Sequence, residues 1–496
     1  MNHIHSALFE NARKYPKRFA IMSPTVDPVD YETLARIVAT YARRLQLRGV
    51  DRSSRLAVNL SGGISVIAIA YAASIIGCRW AQVDKYLLDH PEIITFTHQV
   101  HDNIDQPVDK DHVIYVDTWR DDADIFPEEL PQFGLQSYVG KKAIWRVVNS
   151  SGSTGVPKFM ELTEEIIQAR CQEPLEFANQ AHPKIGLTFP SYASPGLITL
   201  LRILTAGGTA IVRPTIPYLI AEKADFVIGS LSQLVELMRN EEPSGAKVPL
   251  AIATGGLLTA TFVKRSLEFF GGVVNRLGST ETGHIASSVI REISEGPFPV
   301  GTPDRDTDVE IVDELGQRVG INMQGRIRIK KPEMVSRYLG NSAEQNASFA
   351  DGWFYSGDLG YFSHDGKLYL TGRAKEQFNL GGVKLSADVI DEKLIAVDGI
   401  RDCVSFTMSD EHGINRLYAA LVLEAGVTPD EAISKIATDY AAKAAPPEIP
   451  DVVYFVPKAP RNENGKATRH LAAEFIRGLT PWPVKSLFKA SSKVMS

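Results

Sequence analysis

A stretch of apolar residues between positions 55 and 83 constrains the fold more than any other feature of this sequence. Arg55–Leu60 has the composition of a short buried strand, Ile64–Ile76 is apolar all round as a buried helix is, and Cys78–Val83 resembles the first strand. A helix that joins two consecutive strands is typical of a parallel sheet covered by helices. The stretch Ile64–Ile76 is shorter than the roughly 20 residues that cross a bilayer, so we expect no membrane span.

The composition excludes several classes of protein. Of the 496 residues 44% are hydrophobic, and 53 Lys and Arg stand against 59 Asp and Glu, for a net charge of −6. These values exclude a disordered chain and argue against a general nucleic-acid binder, although a local cationic patch can still bind an anion. Cys78, Cys171 and Cys403 form no CxxC pair, which argues against disulfides and a structural zinc site. With no apolar targeting segment at its N-terminus, the chain is predicted to be cytoplasmic.

The pattern of strands and helices changes twice along the chain. Tyr31–Leu47 has apolar residues at helical spacing, and Thr163 is positioned to cap a helix over Glu164–Cys171. From about residue 300 to 370, short alternating strands such as Asp308–Val312 and Arg326–Lys330 indicate an antiparallel, barrel-like subdomain. The sequence thus predicts an α/β fold with two α/β layers, a β-barrel-like subdomain and a small α+β domain at the C-terminus. The elements of residues 84–142 cannot be assigned.

A loop rich in glycine and hydroxyl residues gives the strongest chemical signal. A predicted strand, Ala143–Val148, runs directly into the segment Ser150–Lys158. Its glycines allow backbone N–H groups to face an anion, its hydroxyls add donors and its lysine adds charge, which suits a polyphosphate. The chain has no GxxxxGK[ST] sequence, so the loop is not a Walker A motif. Alone, such a loop is more often a linker than a binding site.

Five further segments accompany this loop in a fixed order along the chain. They are Gly278-Ser279-Thr280-Glu281, Trp353–Gly360, Thr371–Glu376, Gly381-Gly382 and Pro460–Lys466. Together with the loop, they resemble the motifs of the adenylate-forming superfamily, which contains acyl-CoA synthetases, adenylation domains and luciferases. The resemblance extends from about residue 6 to 475. It implies an ATP-dependent enzyme that joins a carboxylic acid to a thiol and releases AMP.

The resemblance also implies which residues hold the phosphates and the metal. Thr154 and Lys158 would bind the β- and γ-phosphates, and Thr280 would contact the α-phosphate. Glu281, with Thr154, would hold Mg²⁺, which bridges phosphate oxygens and offsets developing charge. The remaining residues of the phosphate loop that the resemblance assigns to ATP are Ser151, Gly152, Ser153 and Gly155.

The nucleoside would lie against a second group of residues. Asp358 would accept hydrogen bonds from both ribose hydroxyls, and Arg373 would also reach the ribose. The glycines that would allow close approach of adenine and the α-phosphate are Gly255, Gly256 and Gly278, followed by Ser279. Leu277 stands where the family has an aromatic residue against adenine, which departs from the pattern.

The resemblance divides the chain into an N-terminal AMP-binding domain, residues 1–374, and a mobile C-terminal lid domain, residues 375–496. Lys466 would enter the active site and bridge the carboxylate and the α-phosphate during adenylation. Lys375 would be the hinge, and Gly381 and Gly382 would line the tunnel for the thiol after the lid rotates. A nucleotide-binding protein without catalysis is the alternative class, but Lys466, Glu281 and Asp358 are all present.

The sequence bears separately on the identity of the acid substrate and on that of the thiol acceptor. The segment Leu187–Leu197 contains no acidic residue to pair with an α-ammonium group, which disfavours an amino acid. Its Phe189, Tyr192 and Leu197 suit an apolar acid, either fatty or aryl. Coenzyme A is the predicted acceptor, with the phosphopantetheine of an acyl carrier protein as the alternative. The sequence gives no prediction of the oligomeric state.

Overall fold

The structure is a computed structural model. It describes residues 3–83, 85–102, 112–116, 118–135, 140, 142–150, 157–179, 181–239, 241–294, 296–340, 346–380, 383–409, 414–441, 444–461 and 467–484. Eight of the predicted site residues lie outside the described residues: Ser151, Gly152, Ser153, Thr154, Gly155, Gly381, Gly382 and Lys466.

Helices and strands alternate along most of the chain. The α-helices are α1 (Ile4–Lys14), α2 (Tyr31–Leu47), α3 (Ile64–Ile76), α4 (Lys85–Asp89), α5 (Glu164–Gln172), α6 (Ser194–Thr205), α7 (Ile216–Ala221), α8 (Leu231–Met238), α9 (Ala260–Phe269), α10 (Ala387–Ile395), α11 (Pro429–Lys435) and α12 (Ala472–Phe475). The strands are β1 (Phe19–Met22), β2 (Val29–Asp30), β3 (Arg55–Asn59), β4 (Arg79–Gln82), β5 (His98–His101), β6 (Val113–Tyr115), β7 (Ile144–Ser150), β8 (Lys158–Thr163), β9 (Lys184–Leu187), β10 (Thr209–Val212), β11 (Phe226–Ser230), β12 (Leu250–Thr254), β13 (Val273–Ser279), β14 (Gly283–Ile290), β15 (Asp308–Val312), β16 (Gly325–Lys330), β17 (Phe349–Ala350), β18 (Trp353–Phe362), β19 (Leu368–Arg373), β20 (Gln377–Leu380), β21 (Val383–Ser386), β22 (Ile400–Ser409), β23 (Asn415–Leu423), β24 (Val452–Phe455) and β25 (Trp482–Pro483).

Two mostly parallel sheets form the larger part of the molecule, as the opening pattern predicts. One has six strands in the order β6-β5-β3-β4-β7-β8, and the other has eight in the order β14-β13-β12-β11-β9-β10-β1-β2. Among the described strands of these two sheets, only the β7–β8, β13–β14 and β1–β2 pairs are antiparallel. Helix α3 is buried along nearly its whole length because it has no polar face, and it shares one core with α1, α2, α5 and α6.

Local capping explains where several helices begin. Asp30 accepts a hydrogen bond from the Thr33 N–H at 2.8 Å at the start of α2, and Thr163 accepts one from the Ile166 N–H at 3.3 Å at the start of α5. Helix α5 is one residue longer than predicted. In the interval 84–142 the structure places α4, β5, β6 and the 3₁₀ turn Pro127–Phe133.

The third sheet is antiparallel and five-stranded, formed by β15, β16, β17, β18 and β19, in the region where the barrel-like subdomain is predicted. The chain leaves it after β19 and passes through the 3₁₀ turn Ala374–Glu376. Beyond that turn come the β20–β21 hairpin and a four-stranded sheet, β22-β23-β24-β25, with an apolar core of its own that runs from Phe378 to Val484. No helix in the described part of the chain is long and apolar enough to cross a membrane.

Candidate active site

The segment Gly278–Glu281 is the connection between two antiparallel strands. Gly278 pairs with His284, and Ser279 pairs with Gly283, so the residues between them make a tight turn. Ser279 Oγ accepts a hydrogen bond from the Thr282 N–H at 3.2 Å, which fixes the turn from inside. A Cβ atom at position 278 would lie 2.7 Å from the Gly283 carbonyl oxygen. Glycine is therefore required there by the approach of the two strands.

Glu281 is buried at this turn. Tyr338 contacts both Glu281 and Lys158, so the three side chains form one group. The Tyr338 hydroxyl donates a hydrogen bond to Glu281 Oε1 at 2.8 Å. Lys158 Nζ lies 4.9 Å from the centre of the Tyr338 ring, a cation–π contact. The Val335 N–H donates to the Glu281 carbonyl at 2.8 Å and holds the backbone of the turn. Two residues predicted for phosphate and metal binding, 123 positions apart in sequence, thus share one aromatic neighbour.

Tyr338 is a functional candidate that sequence reasoning missed. It is 4% exposed and packs edge-on against Phe349, with ring centroids 5.1 Å apart. Its hydroxyl orients the Glu281 carboxylate, and its ring supports the lysine. Nothing in its local sequence marks it, because its role depends on a contact across 57 residues.

Asp358 and Arg373 form a second charged group, on the third sheet. They are direct neighbours in the register of β18 and β19, and Arg373 Nε donates to Asp358 Oδ1 at 3.1 Å. The Asp358 carboxylate raises the pKa of Arg373 above its ordinary value. The Ser356 Oγ accepts a hydrogen bond from the Asp358 N–H at 3.2 Å. The structure therefore pairs the two residues that the resemblance assigns to the ribose.

Gly255 and Gly256 lie directly after β12, at the carboxyl edge of the eight-stranded sheet. Parallel strands β12 and β13 end side by side there, which is where ligands bind in open α/β sheets. Gly255 has φ +82°, and a Cβ atom on it would meet no other atom within 4 Å. A Cβ on Gly256 would lie 2.6 Å from Leu231 Cδ1 of α8. The pair thus combines an open face with close packing underneath, which suits a flat ring.

The segment predicted for the acyl group begins at the last residue of β9, continues as irregular coil and ends in the first turn of α6. Two hydrogen bonds hold its coil: one from Arg146 Nη2 on β7 to the Tyr192 carbonyl at 2.7 Å, and one from the Gly63 N–H at the start of α3 to Ser191 Oγ at 2.9 Å. Phe189 and Leu197 are buried and Tyr192 is half-buried. Its apolar side chains therefore belong to the core as well as to any pocket.

Charged residues that the sequence reasoning did not single out lie behind the Gly278–Glu281 turn. Glu173 Oε2 lies 3.7 Å from Arg202 Nη1 and 3.8 Å from Arg276 Nη2. Burial lowers the pKa of Arg170 to about 10, and Arg170 Nη2 donates to the Glu281 carbonyl at 3.3 Å. These contacts join the C-terminal end of α5 to α6, to β13 and to the turn itself.

A possible cation site in the same region is disfavoured by its surroundings. Glu176, His284 and Asp304 place atoms of metal-ligand type within 4.8 Å of one another. His284 Nδ1 already lies 2.8 Å from Asp304 Oδ2, and Lys331 Nζ donates to the His284 carbonyl at 2.8 Å. Burial alone raises the pKa of Asp304, but the hydrogen bond with His284 brings it below its ordinary value. Lys331 and Arg276 also lower the pKa of Asp304, so nearby cations already balance its charge.

The C-terminal domain holds both ends of the segment that contains Lys466. Before it, Arg461 Nη2 donates to Asp402 Oδ1 at 2.7 Å; after it, Arg469 lies 2.6 Å from Asp388 and 2.7 Å from Asp391. Lys375 is in the turn Ala374–Glu376, at the boundary between the third sheet and the C-terminal hairpin.

Comparison with known proteins agrees with the resemblance to the adenylate-forming superfamily. The model of the family "AMP-binding enzyme" matches residues 8–339, and that of its C-terminal domain matches residues 389–466. A probable CoA ligase of Humulus lupulus is 25% identical over 66% of this chain, and an oxalate–CoA ligase of Arabidopsis thaliana is 30% identical over 44%. The chain spans 65% and 42% of the lengths of these relatives.

Solved structures show the same fold. The O-succinylbenzoate coenzyme A synthetase of Bacillus subtilis, in complex with ATP and a magnesium ion, superimposes with a TM-score of 0.77 at 20% identity, over 94% of this chain and 98% of that one. The ligands and names of these relatives agree with the cofactors that the motifs imply: ATP, Mg²⁺ and coenzyme A. The motif order, the fold and the two family matches establish that the chain belongs to the AMP-binding enzymes of the adenylate-forming superfamily.

Proposed function

We propose that this chain is an AMP-forming acid–thiol ligase, which activates a carboxylic acid with ATP and transfers the acyl group to coenzyme A. The observation that carries the proposal is the grouping of Lys158, Tyr338 and Glu281 at the carboxyl edge of the parallel sheets. A buried carboxylate beside a cation is the arrangement that a Mg²⁺–polyphosphate complex requires.

The residues have separate tasks in the proposed first step. Attack of a carboxylate on the α-phosphate joins two anions, so the step needs positive charge and alignment rather than a general base. Carboxylates are already ionised at pH 7. Lys158 would hold the terminal phosphates, Thr280 the α-phosphate, and Lys466 would bring the acid and the α-phosphate together.

The donor set near Glu281 suits Mg²⁺, a cation that prefers carboxylate and hydroxyl oxygens. Bound there with ATP, Mg²⁺ would neutralise phosphate charge. One Glu281 oxygen accepts from Tyr338, which fixes the carboxylate plane. Glu281 and Thr154 would hold the ion, while the predicted loop residues Ser151–Gly155 would surround the phosphates.

The second step depends on the C-terminal domain. We place the domain boundary between residues 374 and 375, with Lys375 as the hinge and residues 375–496 as the lid. After rotation, Gly381 and Gly382 would line the thiol tunnel. Coenzyme A is the preferred acceptor, and the phosphopantetheine of a carrier protein is the second candidate, since the attacking thiol arm is the same. The acid would be apolar in its body, consistent with the buried Phe189 and Leu197.

ATP–pyrophosphate exchange with a panel of carboxylic acids tests the first step. We expect exchange with at least one acid, and loss of most of it in Lys466→Ala. The exposed Lys458 nearby in the chain provides a matched control, and Lys458→Ala should retain wild-type exchange.

Coenzyme A and an acyl carrier protein added to preformed acyl-adenylate then identify the acceptor by product mass. Lys466→Ala should retain this second step. Absence of exchange with every acid would overturn the ligase proposal, and equal loss of both steps in Lys466→Ala would overturn the two-orientation account.

A further inference from the structure

Arg146 is a buried cation that forms no ion pair with an acidic side chain among the residues that the structure describes. It lies on β7, is 3% exposed, and its guanidinium stacks over the Trp80 indole at 4.3 Å from the ring centre. Its Nη2 donates to the Tyr192 carbonyl at 2.7 Å. Within the part of the chain that the structure describes, its Nε and Nη1 are fully buried and have no hydrogen-bond partner. Most donors of this side chain are therefore unsatisfied.

Such an arrangement is costly unless something binds there. Burial lowers the pKa of Arg146 to about 9. In contrast, Arg202 and Arg276 share Glu173, and Arg328 donates from Nε to Glu310 at 2.9 Å. A buried charge is unfavourable unless an anion compensates it, and an unsatisfied buried donor calls for a physical explanation.

The position of Arg146 connects it to the proposed acid site. Its strand ends at Ser150, immediately before the predicted phosphate loop, and its hydrogen bond goes to the coil predicted for the acyl group. The other side of that coil meets the turn after β3, where a Cβ on Gly62 would lie 3.4 Å from Tyr192 Cδ1. The guanidinium thus contacts the backbone of the acyl coil, and the segment Leu187–Leu197 contains no acidic residue to pair with it.

We propose that Arg146 binds a second carboxylate of the acid substrate, so that the preferred substrate is a dicarboxylic acid with an apolar spacer. This inference rests on the proposed ligase function. A carboxylate would cancel the charge and accept hydrogen bonds from the unpartnered nitrogens, which a methyl or phenyl end cannot do. The buried Phe189 and Leu197 would contact the spacer, in agreement with the apolar character predicted for the body of the acid.

Pairs of acids that differ only in their far end test the inference. Hexanoate with hexanedioate, and octanoate with octanedioate, are compared by kcat/KM in ATP–pyrophosphate exchange. Wild type should prefer the diacid of at least one pair by at least about tenfold, the effect of one charge-assisted hydrogen bond. In Arg146→Met the diacid value should fall at least about tenfold further than the monoacid value, because both acids lose the hydrogen bond that holds the acyl coil but only the diacid binds the guanidinium directly.

Arg328→Met is the matched control. Arg328 also stacks over a tryptophan, Trp353, at 4.7 Å, but its charge is paired with Glu310. It should leave the diacid-to-monoacid ratio unchanged. Arg146→Lys, which keeps the charge, should retain part of the preference.

A wild-type preference for the monoacid in every pair would overturn the inference without any variant having to fold. An equal loss of both acids in Arg146→Met would also overturn it, since that result marks a purely structural role. If monoacids alone support exchange, the ligase function stands and the dicarboxylate site fails. If no acid supports exchange, the ligase function itself fails.

Discussion

Replacement of Gly278 by alanine tests whether the turn that carries Glu281 must be placed to within a fraction of an ångström. The added Cβ would lie 2.7 Å from the backbone oxygen of Gly283, whereas ordinary contacts begin at 3.4 Å. One strand must therefore move by about 0.7 Å, the difference between these two distances. Thr280 and Glu281 lie between the two glycines, so this movement shifts them as well. Because a misplacement of about 1 Å can cost roughly a hundredfold in rate, we expect kcat/KM for ATP to fall about 10- to 100-fold.

The assay is ATP–pyrophosphate exchange at fixed acid, with thermal unfolding measured in parallel. Gly320→Ala is the control, since Gly320 has no left-handed backbone angle and its nearest new contact is the flexible Met323 Sδ at 3.4 Å. It should behave as wild type in both measurements. If Gly278→Ala keeps exchange within about twofold of wild type, the close strand approach does not set the position of the catalytic turn, and the argument fails.

Three further substitutions address separate groups. Glu281→Gln keeps an acceptor for the Tyr338 hydroxyl but removes the negative charge. The Mg²⁺ concentration for half-maximal exchange should therefore rise at least about tenfold. An unchanged dependence of exchange on Mg²⁺ concentration would contradict the proposed metal site. Asp358→Asn removes the charge paired with Arg373 and should raise KM for ATP about tenfold with KM for the acid unchanged, whereas equal changes in both would point to general disruption. Burial lowers the pKa of His5 from its ordinary value of 6.5 to about 3 in the folded protein. The unfolded chain therefore binds the proton more tightly, and the stability that is present above pH 6.5 is lost as the pH falls toward 3. At pH 5 the loss is about 2 kcal/mol, and unfolding curves at pH 7 and pH 5 should show a smaller pH effect in His5→Gln than in wild type.

The parts of the fold that were predictable depend on local signals. Helix α3 follows from an unbroken apolar segment, and α5 follows from the capping hydroxyl of Thr163 with acidic residues in the first turn. Strands β5 and β6 were not predictable, since they are three or four residues long and their burial comes from neighbouring strands rather than from a pattern of their own.

The residues of the candidate site likewise divide into those that the sequence predicts and those that it does not. Gly278 and Asp358 lie in motifs whose residue types and spacing can be read along the chain. Tyr338 and Arg146 cannot be found by such a reading, because each acquires its role from a partner more than 40 residues away, Glu281 in one case and Tyr192 in the other. A single arginine within an apolar strand carries no sequence signal that separates a paired charge from an unpaired one.

The net charge of −6 says little about the ligand because the proposed site draws on a few charged side chains placed by three different sheets. Lys158 begins β8 of the six-stranded sheet, the Glu281 turn ends β13 of the eight-stranded sheet, and Arg373 ends β19 of the third. The pKa of Arg373 is raised by Asp358 first, with a smaller contribution from Glu281, so the charges from separate sheets already interact electrostatically. Because each sheet would supply one part of the proposed binding surface, small shifts between sheets would change the distances between the proposed phosphate, metal and ribose contacts together. This accounts for the expectation that one methyl group at Gly278 affects catalysis more than the loss of a surface charge does.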